Sequence, residues 1–290
     1  MHPQFSPKQT SFDLHHITEE LAMKGWEMPQ LQQTTDGHPY MFDIDDAMWR
    51  ATRFIPSEGV PQSITPETAQ RMGALLGSLQ SDLVAVRYIP VSRLPHFHDL
   101  GHQLRTLGEH YDNLPLGAQI EAKLVFADAR SHSKSPFKAV PQLIHGDPRM
   151  ENMLFRDGEP FTFVDWDTAM VDSPFLDIGD MLRSLMQFAD DPGWDDFEKI
   201  SRDIIDAYLD ASTLENSPEN HTLSFEAARD IALGLASRFL VDCDPDKPPY
   251  FQTGLTTDEE RHGYLMKKAA DNIVRSRFFN YMKGHAWNNQ

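Results

Sequence analysis

Apolar residues recur three and four positions apart in several stretches of this chain, which is the spacing of a helix with one buried face. The clearest stretch begins at Thr65, where a capping residue stands directly before Pro66 at the first helical position. The same spacing predicts further helices over residues 12–24, 100–129 with a break near Pro115, 197–209, 224–241 and 257–282, and another from about Asp177. Ser11, Ser224 and Thr257 are the predicted caps of three of these helices. The chain is therefore predicted to be mainly helical.

Strand patterns occur in two places only. Residues 30–35 and 40–54 read as strands separated by the turn dipeptide Asp36-Gly37, and residues 57–63 after them have the composition of a linker. The second place is the run LIHGDPRMENMLFRDGEPFTFVDWDT at residues 143–168. There Asp157-Gly158 is a strong hairpin signal between strands at 153–155 and 161–166. A hairpin at this point would bring the polar loop 145–152 close to the acidic strand end at 165–167.

Composition and charge narrow the range of functions. The chain has 290 residues and a formal net charge of -18, which argues against general nucleic-acid binding. No apolar run is long enough to span a bilayer and no signal peptide is recognisable, so we expect no membrane partner and a cytoplasmic location. Cys243 is the one cysteine, which excludes an internal disulfide framework. Acidic residues on both sides of Cys243 would raise its thiol pKa, against a nucleophilic role.

The polar residues of the run 143–168 suggest phosphoryl transfer. An amide oxygen and a carboxylate that converge from two chain segments suit a hard cation such as Mg²⁺, which also binds substrate phosphates. A further carboxylate that is not a ligand can accept the proton of an attacking hydroxyl. This division of roles is the template of kinases. A hydrolase that uses the same acidic cluster is the weaker alternative, and the chain has no nucleophile elbow of the GxSxG type.

HGDPRMEN followed by FVDWD resembles the catalytic pair of the aminoglycoside phosphotransferase and choline kinase-like family, whose members are small-molecule kinases with a protein-kinase-like fold. The resemblance implies that Asp147 is the catalytic base and that Asn152 and Asp165 are the Mg²⁺ ligands. It assigns Asp167 to metal binding or to support of its loop. It implies a structural role in the catalytic loop for His145.

Other segments resemble the N-acetylhexosamine 1-kinase branch of that family, namely residues 89–99, residues 167–185 with Asp177, Asp180 and Arg183, and SRFLVD followed by PPYF. This branch implies sugar contacts for Arg238 and Tyr250; a helix-surface salt bridge and a core aromatic are the alternatives. Asp177, Asp180 and Arg183 are candidate substrate contacts or members of a structural ion-pair network. Glu19 or Glu20 is the candidate helix-C glutamate, with a solvated helix face as the alternative. His96 and His98 are left without an assigned role.

The resemblance predicts an α+β, protein-kinase-like two-lobe fold, with a truncated small lobe at 1–56 and a mainly helical large lobe at 57–290. No Gly-rich hairpin and no strand lysine precede the first predicted helix, although a complete small lobe carries them. The predicted function is ATP- and Mg²⁺-dependent phosphorylation of a hydroxyl on a small metabolite, most specifically an N-acetylhexosamine-like sugar, with the adenine near residues 54–60. Aminoglycosides and amino alcohols are the alternative acceptors. A non-catalytic sugar- or nucleotide-binding relative is the alternative function, and the oligomeric state is left open.

Overall fold

Helices form most of the structure, a computed structural model that describes residues 7–61, 63–130, 140–189, 196–248, 250–251, 254–255 and 257–284. The eight helices of this part are α1 (Pro7–Met23), α2 (Pro66–Leu83), α3 (Leu100–His110), α4 (Leu116–Arg130), α5 (Phe175–Leu185), α6 (Phe197–Ala211), α7 (Pro218–Val241) and α8 (Asp258–Gly284). Its six strands are β1 (Met41–Phe42), β2 (Met48–Trp49), β3 (Gln142–Ile144), β4 (Met153–Arg156), β5 (Glu159–Phe163) and β6 (Met170–Asp172). The mainly helical composition predicted from the apolar spacing is confirmed.

The strands of the described part form three antiparallel pairs, β1 with β2, β3 with β6, and β4 with β5. The predicted hairpin at Asp157-Gly158 is confirmed, since both residues have positive φ, 53° and 74°, and join β4 to β5. The pair β3–β6 places Ile144 opposite Met170. Strand β6 was not predicted, because three residues are too short for a periodicity signal.

Some sequence-based boundaries were wrong. Ser11 and Ser224 do not cap helices: both are fully buried inside helices that begin several residues earlier. The strand predicted over 40–54 is interrupted by a turn in which Asp43 accepts hydrogen bonds from the amides of Asp45 and Ala47. By contrast, Thr65 caps α2 as predicted, accepting a 3.2 Å hydrogen bond from the amide of Thr68.

The chain divides into two compact units, one of residues 1–95 and 139–221 and the other of residues 96–138 and 222–290. The first contains α1, α2, α5, α6 and all six strands. The second contains α3, α4, α8 and most of α7, around an apolar core formed by Leu107, Ala118, Ala122, Val125, Leu233, Ala236, Leu240, Leu265, Ala269 and Ile273. The lobe boundary at residue 56 stays a prediction.

In the first unit, α2 packs directly on α6 because two glycines face that helix. A Cβ on Gly73 would lie 2.6 Å from the carbonyl oxygen of Ile204, and one on Gly77 would lie 2.2 Å from that of Tyr208. The Tyr208 hydroxyl then donates to the buried side chain of Gln80. The Gln80 side-chain amide donates to Pro174 and Asp177, which links this helix pair to the start of α5.

Glu58, in the segment predicted as a linker, is hydrogen-bonded to the β4–β5 hairpin. The Glu58 amide donates to the Phe155 carbonyl at 3.0 Å, and the Glu58 carboxylate accepts from the amides of Asp157 and Gly158 at 3.0 and 3.1 Å. Glu58 therefore caps the turn that joins the two strands. Residue 62 of the predicted linker lies outside the described residues.

Candidate active site

The loop after β3 turns sharply at Gly146. This residue has φ of 88°, and a Cβ there would lie 2.4 Å from the Thr168 carbonyl oxygen. Both the conformation and the space therefore require glycine. The Thr168 hydroxyl donates to the His145 carbonyl at 3.0 Å. The loop is thus held against the short helical turn at Trp166–Thr168.

Asp177, on α5, is hydrogen-bonded to the backbone of the same loop. Its fully buried carboxylate accepts from the amides of His145 and Gly146 at 3.0 and 2.9 Å, and from the Gln80 side chain at 3.1 Å. Burial raises the pKa of Asp177 to about 6, against the lowering effect of these donors. The sequence had suggested an ion pair or a substrate contact here, and the observed partners are two backbone amides and the Gln80 side chain.

His145 is fully buried and bonds to two backbone groups. With the proton assigned to Nε2, this nitrogen donates to the Val164 carbonyl at 3.1 Å, and Nδ1 accepts from the Asp147 amide at 3.3 Å. Burial lowers the pKa of His145 to about 4. The imidazole is therefore neutral near pH 7 and orients the backbone at Asp147.

Asp147, the predicted base, lies beside Asn152. The Asn152 side-chain amide donates to the Asp147 carbonyl at 2.8 Å and to its carboxylate at 3.0 Å. The Arg149 guanidinium lies 3.5 Å from the same carboxylate. Burial and the carboxylate of Asp180 raise the pKa of Asp147 well above 3.8, while Arg149 opposes the shift. A carboxylate with a raised pKa is a more effective proton acceptor near neutral pH.

Arg183, a predicted substrate contact, is bound to a carboxylate one helical turn earlier. Its guanidinium donates to Asp180 through Nε at 2.7 Å and Nη2 at 2.6 Å. Both side chains are largely buried, 11% and 2% exposed. The pair therefore holds Asp180 next to Asp147.

Asp165 and Asp167 follow β5 at the other end of the hairpin. Asp165 is exposed and has a left-handed backbone, with φ of 63°. Partial burial of its carboxylate and the neighbouring Asp167 raise the pKa of Asp165, while Arg149 and Arg50 lower it. Asp167 accepts from Arg50 Nη2 at 2.7 Å through each of its oxygens.

The oxygen donors at this site suit Mg²⁺, which needs few protein ligands. They suit less well a metal ion whose ligands all come from the protein. The part of the chain that the structure describes contains no group of three or more His, Cys, Asp or Glu side chains placed to bind a metal. Because the Asn152 amide nitrogen is occupied by Asp147, its amide oxygen is left for a cation, and Asp165 offers a carboxylate. Mg²⁺ commonly takes one or two such ligands and completes its shell with water and phosphate oxygens.

A cavity of about 420 Å³ adjoins this acidic end. Its polar side is formed by Arg50, Arg53, Asp165 and Asp167. Its other walls are mainly apolar and include Leu14, Leu31, Phe54, Ile55, Leu154, Val164 and Trp166. A slot of this size with an apolar body and a charged end is typical of a small-molecule site.

The two candidate helix-C glutamates have other observed partners. Glu19 accepts from the Gln30 side chain at 2.9 Å, and Glu20 accepts from the amides of Arg87 and Tyr88 at 2.8 and 3.2 Å. Both carboxylates thus connect α1 to neighbouring segments of the first unit. Their assignment as phosphate-site glutamates stays a prediction.

Arg238 and Tyr250 are brought together in the second unit. The Arg238 guanidinium lies 4.1 Å from the Tyr250 ring centre and 5.9 Å from that of Phe97. His96 and His98, on either side of Phe97, both have positive φ, and His96 stacks on His102 at 3.7 Å. Sugar contact by Arg238 and Tyr250 remains a prediction.

Three residues at the site were missed by the sequence-based assignment. Arg149 lies between two assigned residues, so its position in the motif was a usable signal. Gln80 and Arg50 gave none, because their partners Asp177 and Asp167 are 97 and 117 residues away in the chain. Such long-range contacts leave no local pattern.

Similar solved structures show the fold. An amicoumacin kinase bound to AMP-PNP, Ca²⁺ and Ami matches 92% of this chain and 78% of its own, with 14% identity and a TM-score of 0.61. An aminoglycoside phosphotransferase from Alicyclobacillus acidocaldarius matches 98% and 85%, with 13% identity and a TM-score of 0.58. A choline/ethanolamine kinase family protein from Mesorhizobium loti matches 95% and 84%, with 16% identity and a TM-score of 0.54. The expected α+β kinase-like fold is confirmed.

A search of curated protein sequences gave no significant match. None of the described helices combines the length and apolar character needed to cross a membrane. The family model of the phosphotransferase enzyme family matches residues 9–200, which is more than half of the chain. This match includes the HGD loop, the β4–β5 hairpin and α5. The chain therefore belongs to the phosphotransferase enzyme family and is a small-molecule kinase, as its catalytic-loop sequence predicted.

Proposed function

We propose that this kinase transfers the terminal phosphoryl group of ATP to a hydroxyl of a small metabolite, with Asp147 as the base. The observation that carries the proposal is the position of Asp147, hydrogen-bonded through Asn152 and lying on a loop fixed by Asp177. A fixed base with a raised pKa suits removal of a proton from a bound hydroxyl. Positioning of this kind supplies most of the catalysis in phosphoryl transfer.

The cavity is the proposed nucleotide site. Its apolar walls suit a purine ring, and Phe54, Ile55 and Ser57 contribute to the lining, within the segment where the adenine was predicted. Its charged end contains Asp165, which together with Asn152 would hold Mg²⁺. Mg²⁺ held by these two residues would neutralise phosphate charge and position the phosphates. One solved relative of the same fold contains AMP-PNP and Ca²⁺, which supports the assignment.

The acceptor is proposed to be a sugar of the N-acetylhexosamine type. The support is the branch resemblance and the meeting of Arg238 with Tyr250 in one cluster of the second unit. An aromatic ring next to a guanidinium suits a sugar face that also offers hydroxyl and amide oxygens. Aminoglycosides and amino alcohols are the alternative acceptors.

The test measures ATP consumption with a panel of N-acetylhexosamines, aminoglycosides and amino alcohols. We expect Asp147→Asn to lower kcat by about 100-fold to 10,000-fold with nucleotide affinity retained, and Asp165→Ala to remove the Mg²⁺ dependence along with turnover. Asp172→Asn is the matched control, because this carboxylate forms an exposed pair with Arg93 outside the cavity. Turnover unaffected by both site variants would refute the assignment. Sugar binding without ATP binding would favour the non-catalytic alternative.

A further inference from the structure

Arg50, directly after β2, has two terminal guanidinium nitrogens that differ in their contacts with the described residues. Nη2 donates to both oxygens of Asp167 at 2.7 Å, and the Arg50 and Asp167 side chains are only 24% and 14% exposed. Nη1 is buried and has no hydrogen-bond partner among the described residues. A buried donor of a charged group without an acceptor is unfavourable. The acceptor for this donor must therefore come from outside the described residues.

The cavity at Arg50 needs a cation. Its charged end includes the carboxylates Asp165 and Asp167, which alone would repel the phosphates of a nucleotide. The lysines at the front of the described chain have other contacts: Lys8 lies 5.0 Å over the ring of Phe42, and Lys24 pairs with Asp82 at 3.3 Å. Neither lysine lines the cavity, whereas Arg50 and Arg53 do. Of these two arginines, Arg50 is the one bound to a carboxylate of the charged end, Asp167.

We propose that Arg50 is the phosphate-binding cation of this kinase and that Asp167 is its positioning residue. The inference rests on the proposed nucleotide site. Nη1 donates to a phosphate oxygen while Nη2 keeps Asp167, a use of the planar guanidinium that a lysine cannot reproduce. The role left open for Asp167 is thereby defined as orientation of Arg50.

The first experiment is calorimetry with ATP and with adenosine. We expect Arg50→Gln to weaken ATP binding by about 10-fold to 100-fold and to leave adenosine affinity unchanged, because adenosine has no phosphate. Arg50→Lys should lie between wild type and Arg50→Gln. Arg93→Gln is the matched control: Arg93 also donates from Nη2 to an aspartate at 2.7 Å but lies outside the cavity, so both affinities should stay at wild-type values.

The second experiment is ATP binding by Asp167→Asn in the presence of a chelator, so that no divalent metal takes part. Loss of a negative charge next to a polyanion should by itself strengthen binding. If Asp167 orients Arg50, binding weakens instead. This variant also keeps the proposal testable should Arg50→Gln fail to fold, which thermal unfolding of each variant reports.

Wild-type ATP affinity in Arg50→Gln, or stronger ATP binding in Asp167→Asn, would overturn the assignment of Arg50 and leave the nucleotide site standing. A wild-type protein that binds neither ATP nor adenosine would overturn both the nucleotide site and the role of Arg50.

Discussion

The contact between α2 and α6 predicts that Gly77→Ala is strongly destabilising, although Ala is the better helix former. The propensity difference alone would stabilise the helix by about 1 kcal/mol. The new methyl group, however, would lie 2.2 Å from the Tyr208 carbonyl oxygen and 3.0 Å from the Cβ of Ala211, where ordinary contact begins at 3.4 Å. Relief requires α2 and α6 to separate by more than 1 Å, the difference between 3.4 and 2.2 Å.

Overpacking of this kind costs about 1–3 kcal/mol, and a backbone carbonyl is a less yielding neighbour than a side chain. The clash costs about 3 kcal/mol and the higher helix propensity of Ala returns about 1 kcal/mol, so the free energy of unfolding should fall by about 2 kcal/mol. The displaced Tyr208 also reaches Gln80, which bonds to Asp177 beneath the catalytic loop. We therefore expect kcat to fall in the fraction that stays folded.

Urea unfolding of wild type, Gly77→Ala and Gly263→Ala measures the effect. Gly263 lies inside α8, where a Cβ would meet no atom within 4 Å, so Gly263→Ala should gain up to about 1 kcal/mol. The urea midpoint should be highest for Gly263→Ala, intermediate for wild type and lowest for Gly77→Ala. A Gly77→Ala protein as stable as Gly263→Ala would refute the close approach of the two helices.

Three further predictions concern individual side chains. Asp177→Ala removes the acceptor of the His145 and Gly146 amides, so kcat should drop by about 100-fold or more while calorimetric ATP affinity is kept; an unchanged kcat would contradict the supporting role. As pH falls from 6.5 to about 4, His145 becomes protonated in the unfolded chain but stays neutral in the folded protein. The unfolding free energy of wild type should therefore decrease by up to about 3 kcal/mol relative to that of His145→Gln. Unfolding free energies measured across that pH range test this, and parallel curves would speak against it. Burial and Asp242 raise the pKa of Cys243 to about 12, so a thiol reagent should label it at pH 8 only after unfolding; labelling of the native protein would be inconsistent with this.

The sequence was most informative where short-range chemistry decides the structure. Thr65 caps the helix that Pro66 begins, and Asp157-Gly158 turns between β4 and β5, because a cap and a tight turn are set by residues within four positions. The HGD loop was recognisable for a similar reason, since its motif residues lie within a few positions of one another. The kinase-like fold was expected from the resemblance of this motif to a known family.

The rest depended on contacts that no window of the sequence contains. Ser11 reads as a cap, but burial in α1 overrides that preference. In the sequence, Asp177 is one of several charged residues in a short segment. In the structure, it accepts from amides that lie 31 and 32 residues earlier in the chain. Arg50 lies in what reads as an ordinary strand, and its partner Asp167 is 117 residues further on. Each of these roles is set by tertiary packing.

The bonds from Asp177 to the catalytic loop have a consequence for diversification of this scaffold. Because the loop backbone is held by a side chain of α5, its position does not depend on the exposed side chains of the loop itself. Arg149 and Glu151 are such exposed positions, on either side of the buried Met150. Libraries that vary Arg149 and Glu151 should therefore change acceptor preference and rate while Asp147, the proposed base, keeps its place. This makes the loop a suitable starting point for evolving new acceptor specificity.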